Sequence, residues 1–245
     1  MKIHTQDIER FFTHFQNRHD IIMAAQFQDN NKDDNLVCKS ILLCSIIDTL
    51  SKCVYSTSPN RERFPFFLDD FSGWPHRDRI SLVQLHYFLE TEADIKYEQT
   101  KLYVANRFKN LAHGMMQHSD NDELLNKIPH LKSVESEIRM FSYANLLYKY
   151  RNSVVHEFKA PGSGMDFGIS EDVYYHSMSH YDLRNDEYVL IKNTWELVFP
   201  IKFLSKLVLQ SITNLKSYCI IHNINPYNYF YFDTAWLSKK EVKRK

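Results

Sequence analysis

The segment 148–157 (YKYRNSVVHE) combines an arginine, an amide and a histidine inside an otherwise apolar helical pattern. On an ideal helix Asn152 and His156 are about 40° apart, whereas Arg151 is about 140° from His156. Arg151 and His156 therefore reach one phosphate only if the arginine bends round, the helix deforms or a symmetric dimer brings two copies together. A guanidinium binds phosphate and an imidazole transfers protons near neutral pH. The segment predicts a phosphate site with an acid–base group.

The signatures of other enzyme classes are missing from the sequence. It contains no GxxxxGK[ST] phosphate loop, no dinucleotide-binding GxGxxG, no GxSxG and no HExxH. The histidine pairs His113/His118 and His176/His180 have no third ligand at a matching spacing. We therefore predict no bound metal and no cofactor.

A second set of candidate residues follows the apolar helical segment. Tyr174, Tyr175 and His176 lie on a strand-like run, where their rings are predicted to stack on RNA bases. The alternative is a half-buried strand with aromatic packing. Asp48, the one carboxylate inside an early apolar helix, is interpreted as a satisfied polar group in the core.

Composition indicates a globular chain without a strong charge. The 245 residues are 44% hydrophobic and 24% charged, which excludes intrinsic disorder. Lys+Arg and Asp+Glu both number 30, so a broadly basic nucleic-acid clamp is not expected, although a local basic cleft is compatible. Only 5 Gly occur, which disfavours a turn-rich all-β fold, while 17 Phe and 15 Tyr indicate a well-filled core and a substantial interface.

Cysteine usage and hydropathy suggest a soluble protein of a reducing compartment. The four cysteines form no CxxC pair, and three of them lie in one apolar stretch, where a free cysteine acts as a small buried hydrophobe. The first ten residues hold no apolar signal core, and the apolar run 41–47 is too short for a membrane span. We therefore expect a cytoplasmic location and no membrane partner.

Hydrophobic periodicity predicts a mainly α fold. We expect one domain over 1–245, a helical bundle of five or more helices with a helical insertion and one small β-hairpin before the last long helix. The insertion is predicted at 56–130, beginning with an irregular connection over 56–77, and a C-terminal tail at 226–245. Helices are predicted at 5–28, 36–55, 79–90, 97–116, 133–157 and 194–221, and strands at 173–178 and 187–192.

Arg151, Asn152 and His156 carry a resemblance to the HEPN superfamily. Its hallmark is an arginine, often followed by a polar residue, with a histidine four to six residues later on a late helix of a bundle. The early apolar helix with the inner carboxylate of Asp48 also resembles HEPN helices. The resemblance covers about 36–55 and 133–221, and leaves the insertion and tail outside. Phe158 stands where some HEPN toxins have a tyrosine, so neutralisation by modification of that hydroxyl is in doubt.

The resemblance implies a metal-independent endoribonuclease, active in prokaryotic defence or toxin–antitoxin growth control. The ribose 2′-OH would attack the adjacent phosphate, with His156 as general base or acid and Arg151 holding the phosphate. Asn152 would bind phosphate or orient His156. The implied partners are an RNA substrate, a second copy in a homodimer and an antitoxin protein. An alternative of another class is a non-catalytic dimeric helical module that binds nucleotide, RNA or a protein.

Overall fold

A computed structural model describes residues 5–27, 32–108, 115–117, 122–184 and 187–230. These residues are mainly helical, which confirms the predicted fold class. The α-helices of the described ranges, in chain order, are α1 Thr5–Ala24, α2 Lys32–Ser51, α3 Asn60–Phe71, α4 Leu82–Thr91, α5 Glu98–Phe108, α6 Glu135–Arg139, α7 Tyr143–His156 and α8 Ile201–Ile221. None of the helices in the described ranges is both long and apolar enough to cross a membrane.

Within the described ranges, two small antiparallel sheets accompany the helices. The strands are β1 Arg79–Ile80, β2 Met115–Gln117, β3 Glu123–Leu124, β4 Tyr174–Arg184 and β5 Glu187–Val198. β1 pairs with β3, while β4 lies between β2 and β5 in the second sheet. β4 and β5 form the expected hairpin before α8, with an irregularity in register between His180 and Tyr181.

The main hydrophobic core is built by α1, α2, α3, α7 and α8. α2 is apolar on nearly every side, and Leu43, Ile47 and Leu50 have no exposed surface. α8 packs against α1, α2 and α3, and α7 packs against α2 and α3. α2 is therefore the central helix, as its lack of a polar face predicts.

Residues of the segment predicted as an insertion, together with α6, form a second and smaller hydrophobic core. It joins α4 and α5 to α6 and to the short turns between them, with buried residues such as Leu85, Leu89, Val104 and Ile138. α3, which belongs to the same predicted segment, packs in the main core instead. The insertion range 56–130 thus contributes to both cores.

The predicted long helix over 133–157 is wrong, because the chain breaks between α6 and α7. The Phe141 carbonyl accepts a hydrogen bond from the Ser81 N–H at 2.9 Å, and the Ala144 N–H donates to the Arg77 carbonyl at 2.9 Å. These contacts with the chain around β1 replace the helical hydrogen bonds. A tertiary contact of this kind leaves no trace in the periodicity of the segment.

Several further boundaries differ from the prediction, including that of the helix expected over 97–116, which ends at Phe108. α3 occupies part of the predicted irregular connection, since Pro59 is its N-cap and Gly73 follows its end. α2 begins at Lys32, four residues before the predicted start at 36. The last helix begins at Ile201 rather than 194, because Pro200 is its N-cap and β5 continues to Val198. Residues 226–229 of the predicted tail form a 3-10 turn, and 231–245 lie outside the described residues.

Candidate active site

The candidate site lies at the C-terminal end of α7. Val154 and Leu147 are fully buried on the inner side of this helix, whereas His156 is exposed in its last turn. The helix remains regular through His156, where the Glu157 N–H donates to the Ser153 carbonyl at 2.8 Å. Packing of the apolar side therefore fixes the helix, and the polar motif is presented at its exposed end.

Arg151 is held by a carboxylate from the central helix. Its Nε donates to Oδ2 of Asp48 on α2 at 2.5 Å, and its Nη2 makes an ion pair with the same oxygen. Both side chains are only 13% exposed. Burial raises the pKa of the Asp48 carboxyl, and the charge of Arg151 offsets part of that rise. The pair joins α2 to α7 and fixes the direction of the guanidinium.

The remaining amino group of Arg151 is directed at the other two motif residues. Nη1 donates to Oδ1 of Asn152 at 2.9 Å and lies 3.4 Å from Nε2 of His156. Arg151 therefore bends round α7 within one chain, the first of the three routes that the helical geometry allows. Because a guanidinium offers only donors, Nε2 of His156 is the acceptor in this contact.

The loop after α7 begins with an unusual backbone conformation. Phe158 has φ of 53° and is 73% exposed. Glycine is the common residue at this place after a helix, because a side chain at positive φ is strained. The exposed ring lies two residues from His156.

Tyr174, Tyr175 and His176 do not form a base-stacking surface. Tyr174 and Tyr175 have no exposed surface, and His176 is only 4% exposed. The Tyr174 hydroxyl donates to the Met165 carbonyl at 2.9 Å, and His176 Nε2 accepts from the Met165 N–H at 2.9 Å. The prediction of RNA stacking by these three residues is wrong, since a ring without exposed surface offers no face to a base. Their packing follows the alternative interpretation.

The described residues contain no group of three or more His, Cys, Asp or Glu side chains placed to hold a metal ion. His180 contacts the hydroxyl of Thr194 at 2.8 Å, and His176 is engaged by the loop as described above. His113 and His118 lie outside the described residues.

The sequence singles out Asp48 as a polar group in the core but does not predict its contact with Arg151. In the structure, one oxygen of Asp48 binds the Arg151 guanidinium. Its other oxygen, Oδ1, is buried without a hydrogen-bond partner among the described residues. The available signal was a single carboxylate inside an apolar helix, which requires a cationic partner elsewhere in the chain.

Comparison with known proteins returned no match, since no family model, no curated protein and no solved structure is significantly similar to the chain.

Proposed function

We propose that the protein is a metal-independent endoribonuclease of the HEPN type, with its site at Arg151, Asn152 and His156. The observation that carries the proposal is the guanidinium of Arg151, anchored by Asp48 and directed through Nη1 at Asn152 and His156. A fixed cation beside an exposed imidazole is the pair of groups that phosphodiester cleavage by an internal nucleophile requires.

In the proposed reaction, His156 removes the proton from the ribose 2′-OH as the oxygen attacks the adjacent phosphorus. The bond from phosphorus to the 5′-oxygen breaks, and that oxygen takes a proton from water and leaves as a 5′-OH. The other product ends in a 2′,3′-cyclic phosphate. Arg151 stabilises the additional negative charge on the phosphate oxygens, since its position is set before the substrate arrives. DNA has no 2′-OH and is not cleaved.

Each part of the cluster has a separate task in this proposal. Asp48 is a positioning residue, because it contacts Arg151 and lies at the buried side of the guanidinium. Asn152 accepts from Arg151 through Oδ1, which leaves its amide N–H groups for a phosphate or for His156. In keeping with the resemblance, we propose that two copies of the chain complete the cleft and that an antitoxin protein restrains it.

The alternative function is a non-catalytic helical binding module. The observation in its favour is the buried Asp48–Arg151 pair, which joins α2 to α7 and would be retained for packing alone. The two functions differ in their dependence on His156, because this side chain is exposed and takes no part in the core. A binding module tolerates its loss, and a nuclease does not.

The test is incubation of the purified protein with a mixed RNA pool and a matched DNA pool in EDTA. The proposal expects RNA cleavage with cyclic phosphate ends, no DNA cleavage and no activity in His156→Ala. His14→Ala is the matched control, since His14 is exposed on α1. Equal cleavage by wild type and His156→Ala would exclude the assigned site.

A further inference from the structure

A cavity of about 580 Å³ opens between α4, α7 and β5. α7 contributes Leu146, Lys149 and Tyr150, which share one face of the helix, while Arg151 projects from another face and does not line the cavity. The volume lies within the range of about 300–1,000 Å³ that is typical of small-molecule sites. We call this cavity the aromatic cleft.

The walls of the aromatic cleft are rich in flat rings. His86 and Phe108 stack on each other with ring centroids 3.9 Å apart and an interplanar angle of 23°. The Tyr87 hydroxyl accepts a hydrogen bond from the Trp195 N–H at 2.7 Å, which ties α4 to β5 across the cleft. Six rings line it in total, those of His86, Tyr87, Phe108, Tyr150, Trp195 and Phe199. Such walls favour a planar ligand, because flat surfaces bury against one another with little loss of conformational freedom.

Two lysines and two carboxylates line the aromatic cleft. Lys149 and Lys192 are exposed, and neither makes an ion pair within the described part of the chain. The carboxylate of Glu196 is already occupied, since Oε1 accepts from the Thr194 hydroxyl at 2.7 Å and Oε2 accepts from the Ser163 N–H at 3.1 Å. The carboxylate of Glu90 lies 3.4 Å from Nε2 of His86. The four charges therefore sum to zero, and among the described residues only the two lysines of this set lack a contact with another polar group.

We infer that the aromatic cleft binds a small molecule in which a planar aromatic ring carries one anionic group. The ring lies against the aromatic walls, and the anionic group contacts Lys149 and Lys192. Two sources share this chemistry, a nucleoside monophosphate and an aromatic carboxylate. This inference is independent of the proposed nuclease, because binding is measured without RNA.

The test is a titration of the full chain with four probes, adenosine monophosphate, indole-3-acetate and their neutral counterparts adenosine and indole. Binding is followed by calorimetry, because the indole probes emit in the same range as tryptophan. Lys149→Gln and Lys192→Gln each remove one positive charge. Leu146→Trp fills the cavity from α7, and Lys127→Gln is the control for loss of an exposed charge outside the cleft.

We expect saturable binding of at least one anionic probe and weaker binding of its neutral counterpart. Each lysine variant weakens the anionic probe about tenfold, as the loss of one charge-assisted hydrogen bond predicts. Leu146→Trp abolishes binding, and Lys127→Gln leaves it unchanged. The anionic probe that binds identifies the source. Absence of saturation for both anionic probes at millimolar concentration would overturn the inference, as would affinities that neither lysine variant changes.

Discussion

Arg151 divides its hydrogen-bonding groups between the interior and the exposed end of α7. Nε and Nη2 face Asp48, and Nη1 faces Asn152 and His156. A planar guanidinium can serve both sides at once because its donors diverge from a rigid centre, which a lysine ammonium cannot do. The geometry of the candidate site therefore depends on a buried contact that no substrate touches.

Asp48→Asn tests this contact, because it removes the negative charge and leaves Arg151 partly buried. We expect the free energy of unfolding to fall by about 2–3 kcal/mol, the cost of an uncompensated buried charge. Urea denaturation of the wild type and the variant measures the difference.

Glu9→Gln is the matched control for Asp48→Asn. Glu9 pairs with Lys216 at 2.7 Å, and both side chains are at least one-third exposed. Its loss is expected to cost less than about 0.5 kcal/mol. Equal costs for the two variants would contradict a buried, structurally coupled Asp48–Arg151 pair.

The raised pKa of the buried Asp122 carboxyl predicts that the free energy of unfolding depends on pH. Burial raises the pKa of this carboxyl to about 6, against hydrogen bonds from Tyr143, Leu82 and Tyr175 that lower it. Because the folded pKa lies above the unfolded one, the stabilising contribution is complete below about pH 4 and is lost as the pH rises through 6. Between pH 5 and 8 this loss amounts to about 1–2 kcal/mol.

Unfolding free energies of the wild type and Asp122→Asn, measured at pH 5 and pH 8, check this prediction. Asparagine does not titrate, so the variant is expected to lose about 1–2 kcal/mol less than the wild type over that interval. Parallel pH profiles would show that Asp122 is ionised throughout and that its pKa is not raised.

Phe158→Gly is expected to stabilise the protein by about 0.5–1 kcal/mol, since glycine adopts positive φ without strain and the phenylalanine ring is largely exposed. Thermal unfolding measures the change. Asn223 has φ of 51° after α8, and asparagine tolerates that conformation, so Asn223→Gly is expected to have a smaller effect. A lower unfolding temperature of Phe158→Gly would contradict this prediction, because it would show that the phenylalanine ring makes stabilising contacts.

At the scale of elements, the hairpin of β4 and β5 extends well beyond the sheet that anchors it. Among the described residues, β2 pairs only with Tyr174, Tyr175 and His176, so in that part of the chain the outer hairpin is a two-stranded ribbon. Its register places Tyr181 opposite Leu190 and Leu183 opposite Tyr188. These four side chains share one face of the ribbon and are all exposed.

The double substitution Tyr188→Ser with Leu190→Ser is expected to change the free energy of unfolding by less than about 1 kcal/mol, because both side chains are already in water. Leu147→Ala, in the main core, is expected to cost about 3 kcal/mol. Urea denaturation compares the two. A cost of the double substitution close to that of Leu147→Ala would show that the ribbon face is covered in solution.

The sequence was sufficient to predict the helices with a clear apolar face and insufficient where tertiary contacts or proline positions decide the boundaries. α8 follows from its apolar face, and α2 from a stretch that is apolar on nearly every side. The break before α7 depends on hydrogen bonds with the chain around β1. α3 lies within the segment predicted as an irregular connection, because a proline such as Pro59 interrupts a helix interior but is favoured at a helix start.

In the candidate site, too, local patterns could be predicted from the sequence and tertiary contacts could not. Helical spacing predicted that Asn152 and His156 share a face of α7, and the local pattern singled out Arg151. The partner of Arg151 lies about one hundred residues earlier in the chain, and no local pattern joins the two. The burial of Tyr174 and Tyr175 was equally invisible, because strand alternation does not say which aromatic side chains meet the core.

At the scale of the molecule, the two hydrophobic cores support the elements that carry the Arg151 cluster and the aromatic cleft. The main core holds α2 and α7, and thereby the cluster of Asp48 and Arg151. The second core supports α4 and α5, whose residues form one wall of the aromatic cleft. The net charge of zero means that any affinity for RNA must come from local cations, since the molecule as a whole attracts neither sign.

The central claim is that the cluster on α7 cleaves RNA, and the most direct measurement is the rate at which 2′,3′-cyclic phosphate ends form in EDTA. We expect His156→Ala to lower this rate by about 10²–10⁴-fold, the usual contribution of a general acid or base, and to unfold at the same temperature as the wild type. His14→Ala is expected to match the wild type in both measurements. Cyclic phosphate ends formed by His156→Ala at the wild-type rate, with the fold intact, would contradict the account.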